Sequence, residues 1–228
     1  MIIEFSDAHE NPQGMSQQLR EIIALARADG ATLVCNGDFI NLLPWGYDKW
    51  PGSPFLAELR ATLRGYDLWL VSGNHDPCSW LKALLGDWPN VFVRRRIVWA
   101  SPHTWRDVEF RHGHGWSPDW RVLRHFAPGF VEFMTDTFPK QWYWFSRKMG
   151  WLPSKLKEEK EQDYRKAILS VWLGAVGHAQ RKDRTVICGH THSQGSLTVG
   201  KEILVADAGT LLEGEFIRID RGIELCKL

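Results

Sequence analysis

The chain has 228 residues, with 28 basic against 27 acidic side chains and a formal net charge of +1. Near-neutrality argues against a protein that coats nucleic acid by bulk charge, and a 44% hydrophobic share suits a globular core. No run of about 18 apolar residues occurs, so nothing in the sequence reads as a membrane span.

Ile2 to Phe5 reads as a short buried strand. Ser16 to Asp29 reads as a helix with Leu19, Ile22, Ile23 and Ala26 on one face and Gly30 as its stop. Thr32 to Cys35 is a second strand. Ser53 is an N-cap with Pro54 at the first helical position, opening a helix that ends at Gly65. Leu68 to Val71 is a third strand, followed by a short helix ending near Gly86. Val91 to Val93, Ile97 to Trp99 and Val108 to Arg111 then read as strands without intervening helices. Residues 116 to 178 read as mainly helical. Thr185 to Cys188 returns as a buried strand, and two hairpins follow, with turns near Gly200-Lys201 and Asp220-Arg221-Gly222. The pattern predicts an α/β domain over residues 1–228 with a helical insertion at about 116–178.

Polar residues of one kind recur just after the strands. Asp7 and His9 follow the first, Asp38 the second, and Asn74, His75 and Asp76 the third. His112 closes the strand at Val108, and His190 and His192 follow the strand at Thr185. Strand carboxyl ends are where open α/β sheets bind ligands. One such histidine is an ordinary loop or core residue, but scattered loop residues do not explain Asp, Asn and His recurring after five strands. Imidazole, carboxylate and amide oxygen together suit divalent Mn²⁺, Fe²⁺ or Zn²⁺. Two such ions, about 3.5–4 Å apart, need an anionic bridge, acidify a shared water and hold a phosphoryl oxygen. The four cysteines Cys35, Cys78, Cys188 and Cys226 have no metal-ligand spacing and read as free thiols of a reducing compartment. With no basic leader at the start of the sequence, the expected location is the cytoplasm.

Asp7-Ala8-His9, Gly37-Asp38, Gly73-Asn74-His75-Asp76, His112-Gly113 and Gly189-His190-Thr191-His192 resemble, in order, the five blocks of the calcineurin-like metallophosphoesterases. The resemblance implies a two-sheet sandwich flanked by helices, with Asp7, His9, Asp38 and His192 on one metal and Asp38 bridging. Asn74, His112 and His190 would complete the second site. His75 would act near the leaving group as general acid or transition-state donor, oriented by Asp76. Gly37-Asp38-Phe39-Ile40-Asn41 with Trp45-Gly46 is also similar to a segment of bacterial UDP-2,3-diacylglucosamine pyrophosphatases, which carry a helical insertion at the position of residues 116 to 178. Those enzymes have arginine where this chain has His75, and aspartate where it has His114. The implied activity is hydrolysis of a pyrophosphate or phosphodiester bond in an amphiphilic nucleotide conjugate, with two divalent ions, manganese foremost. The alternatives are a phosphodiesterase, nuclease or phosphomonoesterase on a soluble substrate, or a non-catalytic scaffold.

The insertion carries ten basic and seven acidic residues and six of the 13 tryptophans. Trp142, Phe145, Met149 and Leu152 share one helical face, with Arg147 and Lys148 beside it. Three readings stand: an amphipathic cap touching a lipid headgroup layer or acyl chain at the inner membrane, an aromatic layer packed on the core, or a stacking groove for nucleic acid. The modest charge disfavours the last, so no nucleic-acid partner is expected. The first makes Trp142, Arg147 and Lys148 substrate-binding, joined by His114, which lies two residues beyond His112. His103, His125 and His178 read as surface or packing residues, and Arg94-Arg95-Arg96 as a largely solvated strand end.

Overall fold

Residues 1–100, 106–116, 138 and 157–228 are described in the computed structural model. β1 (Ile2–Phe5) is buried at every position, as expected of a strand covered on both faces. It pairs in parallel with β2 (Thr32–Asn36), β2 with β3 (Leu68–Val71) and β3 with β4 (Val91–Arg94). On the other side β1 pairs antiparallel with β10 (Glu215–Ile219), and β10 with β11 (Ile223–Lys227). The second sheet runs β5 (Ile97–Trp99), β6 (Val108–Phe110), β7 (Thr185–Cys188), β9 (Glu202–Asp207) and β8 (Gly195–Val199). Here β6, β7 and β9 are parallel, and β5 and β8 run antiparallel at the edges.

Alternation along the strands sorts the core into layers. Ile3 and Phe5 of β1 face α1 (Gln17–Ala28), α3 (Pro54–Thr62) and α4 (Cys78–Leu85), joined by Leu33, Cys35, Leu68 and Leu70. Ile2, Val34 and Val71 face the second sheet, meeting Val108, Phe110, Ile187 and Ala206. On its outer side that sheet packs Val186, Cys188 and Val205 against Val171, Ala175 and Ala179 of α5 (Lys157–Lys182). The fold is therefore α/β, two mixed sheets flanked by helices, as the sequence leads one to expect.

The helix signals act as read: the Ser16 and Ser53 hydroxyls accept from the amides of Leu19 and Leu56, and Pro54 stands in the first turn. Two differences concern boundaries. α5 continues four residues past the expected end at 178, to Lys182, because His178 turns inward and Ala179 is still core. A short helix, α2 (Leu42–Trp45), follows the second ligand loop and buries Leu42 and Leu43. Residues 117–137 and 139–156 of the expected insertion lie outside the described residues.

Candidate metal centre

Because β1, β2 and β3 are parallel to one another, as are β6 and β7, the loops at their carboxyl ends gather at one edge of the sandwich. The backbone there is unusual. Asp7, His9, Asp38, His190 and His192 hold φ between 49° and 73°, a region that side-chain-bearing residues rarely occupy. Such conformations persist only where the surroundings over-determine them, and they concentrate at functional sites. The glycines of the motifs make room. A side chain on Gly37 would overlap the His112 ring, and one on Gly73 would overlap the Asp38 carboxylate. Asp76 holds two of the loops together: its Oδ1 accepts from the amides of Gly73 (2.7 Å) and Asp38 (3.2 Å), its Oδ2 from those of Phe39 (2.7 Å) and Ile40 (3.3 Å).

On this scaffold the side chains converge. His192 Nε2 lies 3.1 Å from Asp7 Oδ1 and 3.3 Å from His9 Nε2. Across the centre, His112 Nε2 lies 3.4 Å from Asp38 Oδ2 and 3.2 Å from Asn74 Oδ1. Among the described residues, three groups bring ligand atoms within 4.8 Å of one another: Asp7, His9 and His192; Asp38, His112 and His190; and His9, Asp38 and His75. Asp38 belongs to two of them. His112 Nδ1 donates to the backbone oxygen of Asn36 at 2.9 Å. That oxygen only accepts, so the bond fixes a proton on Nδ1 and leaves Nε2 to face Asp38 and Asn74. Nitrogen and oxygen donors turned toward one another, with the Asp7 carboxylate fully buried among them, are what a divalent cation fits.

The sequence model of the calcineurin-like phosphoesterases matches residues 1–194. The chain belongs to this family. Membership makes it a metal-dependent phosphoester hydrolase. No curated protein matches the chain. Among solved structures, an archaeal phosphodiesterase is 14% identical, with 100% of this chain and 99% of that one covered and a TM-score of 0.46. A dimetal phosphatase from Danio rerio is 16% identical over 95% of this chain and 90% of its own, with a TM-score of 0.46. An uncharacterised Streptococcus pneumoniae protein, described as a phosphoesterase, is 16% identical over 99% and 88%, with a TM-score of 0.44.

The electrostatics of this phosphoesterase site are set by two buried carboxylates among histidines. Burial alone would push the Asp38 carboxyl up, but the His112 and His75 rings outweigh it and hold it well below the usual range. Asp7 behaves likewise, held low by His112 and His192 against its burial. Burial pulls the His112 imidazolium down, yet Asp38 and Asp7 raise it from 6.5 to about 10. His190, buried beside that charge, falls to about 4. The His112 charge thus supports the metal-free fold fully below pH 6.5, and this contribution is lost as pH rises through about 10. A cation bound at Nε2 must displace the proton there. Metal uptake near neutral pH is therefore expected to release about one proton from this ring, with affinity rising with pH. Calorimetry in buffers of different ionisation heat measures it, and uptake without proton release would remove His112 from the ligand set.

Asp76, expected to orient His75, spends its carboxylate on four backbone amides, one in its own loop and three in the loop after β2. The His75 ring is met instead by Asn41, whose Oδ1 lies 2.7 Å from His75 Nδ1. Asn41 ends the Gly37-Asp38-Phe39-Ile40-Asn41 segment, and its position three residues after Asp38 in a ligand loop is the one signal the sequence offers. His114 is buried, with its ring centre 5.5 Å from that of His112. Its Nδ1 has no hydrogen-bond partner among the described residues, and burial with the charges of His112 and His190 holds it well below the ordinary imidazole range. His178 packs inward and bonds Glu109 at 3.1 Å. Asp207, also missed, accepts from Thr191 Oγ1 at 2.8 Å and supports the loop carrying His190 and His192. Trp142, Arg147, Lys148, His103 and His125 lie outside the described residues. No described helix is long and apolar enough to cross a membrane.

Proposed function

We propose that the chain is a dinuclear phosphoesterase that cleaves a pyrophosphate or phosphodiester bond in an amphiphilic nucleotide conjugate such as UDP-2,3-diacylglucosamine. The observation that carries the dinuclear reading is the place of Asp38 in two ligand groups at once. Asp7, His9 and His192 would hold one ion, Asn74, His112 and His190 the other, with Asp38 between them. Two divalent ions, manganese foremost, would supply an acidified water and offset the charge that develops on the phosphoryl group.

The remaining chemistry belongs to the chain's own groups. His75 N–H donates to Asp38 Oδ1 at 2.8 Å, which fixes its backbone beside the ligands. Its ring is half-buried, 4.8 Å from that of His9, and would pass a proton to the leaving-group oxygen. Asp7 Oδ2 accepts the His190 amide at 2.9 Å and Ser6 Oγ donates to Gly209 O at 2.9 Å, so the site's floor is tied across both sheets. The amphiphilic substrate, and contact with a membrane surface, rest on the Gly37 to Gly46 likeness and on the basic, tryptophan-rich composition of residues 116 to 178. His75, where the pyrophosphatases carry arginine, favours the second reading, a phosphodiesterase acting on soluble substrates.

Hydrolysis profiling with Mn²⁺ separates them. The expected result is faster turnover of micellar UDP-diacylglucosamine than of cyclic nucleotides, aryl diesters or phosphoproteins. Turnover confined to soluble diesters would establish the second reading instead.

A further inference from the structure

His112 is followed by Gly113-His114-Gly115, and two glycines around one residue give a turn little stiffness of its own. The anchor lies one residue further on. Trp116 ends the 3₁₀ turn His114–Trp116, and its amide donates to Gly113 O at 2.9 Å. Its side chain lies against α5 at Gly174, where an added Cβ would stand 2.5 Å from Trp116 Cγ and 2.7 Å from Trp116 Cβ. Glycine is among the poorest residues inside a helix, so Gly174 reads as a notch cut for the indole. Ser170, Val171 and His178 lie on the same face of α5 as Gly174. The Ser170 hydroxyl donates to Trp116 O at 2.9 Å, and the His178 ring centre is 5.7 Å from that of Trp116. Val171 closes on Gly113, where an added Cβ would stand 3.3 Å from its methyl. From β6, the Arg111 guanidinium lies over the indole, 5.4 Å from its centre.

We infer that Trp116 is a positioning residue for the second ion: its indole, keyed into the Gly174 notch of α5, fixes the turn that carries His112 and His114. The inference rests on the dinuclear reading for its purpose. Held in this turn, the His114 ring has its centre 5.5 Å from that of His112 and 6.4 Å from that of His190. His112 O accepts the Gly189 amide at 3.1 Å, which ties the turn to the loop carrying His190. The two imidazoles proposed for the second ion therefore share one support, reached through Trp116. Asp7 and His9, proposed for the first ion, have another: their amides donate to Gly37 O at 3.1 Å and Asp38 O at 2.9 Å.

Gly174→Ala and Gly177→Ala form a matched pair that tests this. Each adds one methyl to α5 and improves its helix propensity. A Cβ at Gly177 meets the flexible end of the Arg181 side chain at 3.2 Å, whereas one at Gly174 meets the root of Trp116, so there the turn itself must shift. In the metal-free protein, Gly174→Ala is expected to speed hydrogen exchange at the Trp116 and Gly189 amides, and Gly177→Ala to leave both unchanged. In a Mn²⁺ titration followed by calorimetry, the wild type and Gly177→Ala should bind two ions alike. Gly174→Ala should bind the first ion as the wild type does and the second about 10–100-fold more weakly, with kcat recovered at saturating Mn²⁺. Wild-type exchange and second-ion affinity in Gly174→Ala, or equal weakening of both ions, would overturn the role of Trp116. A wild type that takes up no second ion would instead contradict the dinuclear reading, and with it any role at that ion.

Discussion

Asp38→Ala is expected to reduce Mn²⁺-supported hydrolysis of an aryl phosphodiester by well over 100-fold. Removing a partner that merely supports a metal ligand costs about 10–100-fold in affinity or activity, and Asp38 is proposed as a ligand of both ions. Its Oδ2 is 3.4 Å from His112 Nε2, and it shares a second group with His9 and His75. The substitution takes away the anion between the two positions and the main reason that His112 rises to about 10. It also removes the acceptor for the His75 amide. Asp38→Asn separates these effects, because the amide oxygen can keep the His75 contact while the charge is gone. It should retain the fold and lose activity nearly as fully. Full turnover by either variant would mean that the chemistry does not pass through this centre.

Asp76→Ala is expected to act first on stability. The carboxylate is fully buried and accepts from the amides of Gly73, Asp38, Phe39 and Ile40. An unsatisfied buried donor costs about 1–3 kcal/mol. With four amides affected and some relaxation of the loop, a loss of about 4 kcal/mol or more follows, in the range reserved for severe lesions. In a chain of this size each kcal/mol lowers Tm by about 2–4 °C, so a fall of about 8–16 °C is expected by calorimetry. Activity should fall at temperatures where the variant is still folded, since two of those amides flank the Asp38 backbone. A Tm within about 2 °C of the wild type would show that the four bonds are not what closes the loop.

The two substitutions touch residues whose positions are legible in the sequence and whose contacts are not. Asp38 could be placed because it follows a strand recognisable from its apolar run, while its bridging role comes from the family resemblance alone. The same holds for Asp7, His9, Asn74, His112, His190 and His192, whose motifs all lie at the strand ends where the structure gathers them. Ser16 and Ser53 were legible because capping is local. Asp76 was legible as a member of a motif but not in its contacts, since its partners lie up to 38 residues away. Asn41 was hidden for the same reason, its oxygen meeting rings 32 and 34 residues distant. The division of strands between two sheets was equally out of reach. β6 pairs with β7 across a long intervening segment, and nothing in either strand's own pattern says which sheet it joins. What a residue must be is written locally; what it must touch is decided when the loops from both sheets meet.

On the proposed reading, the donors from five loops form a place for two divalent ions with Asp38 between them. Metal content per chain, measured by mass spectrometry after Mn²⁺ loading and desalting, tests it most directly. The wild type should retain two ions per chain, and Asp38→Asn fewer, with its fold intact. A wild type that retains none, or an Asp38→Asn variant that retains both, would contradict it.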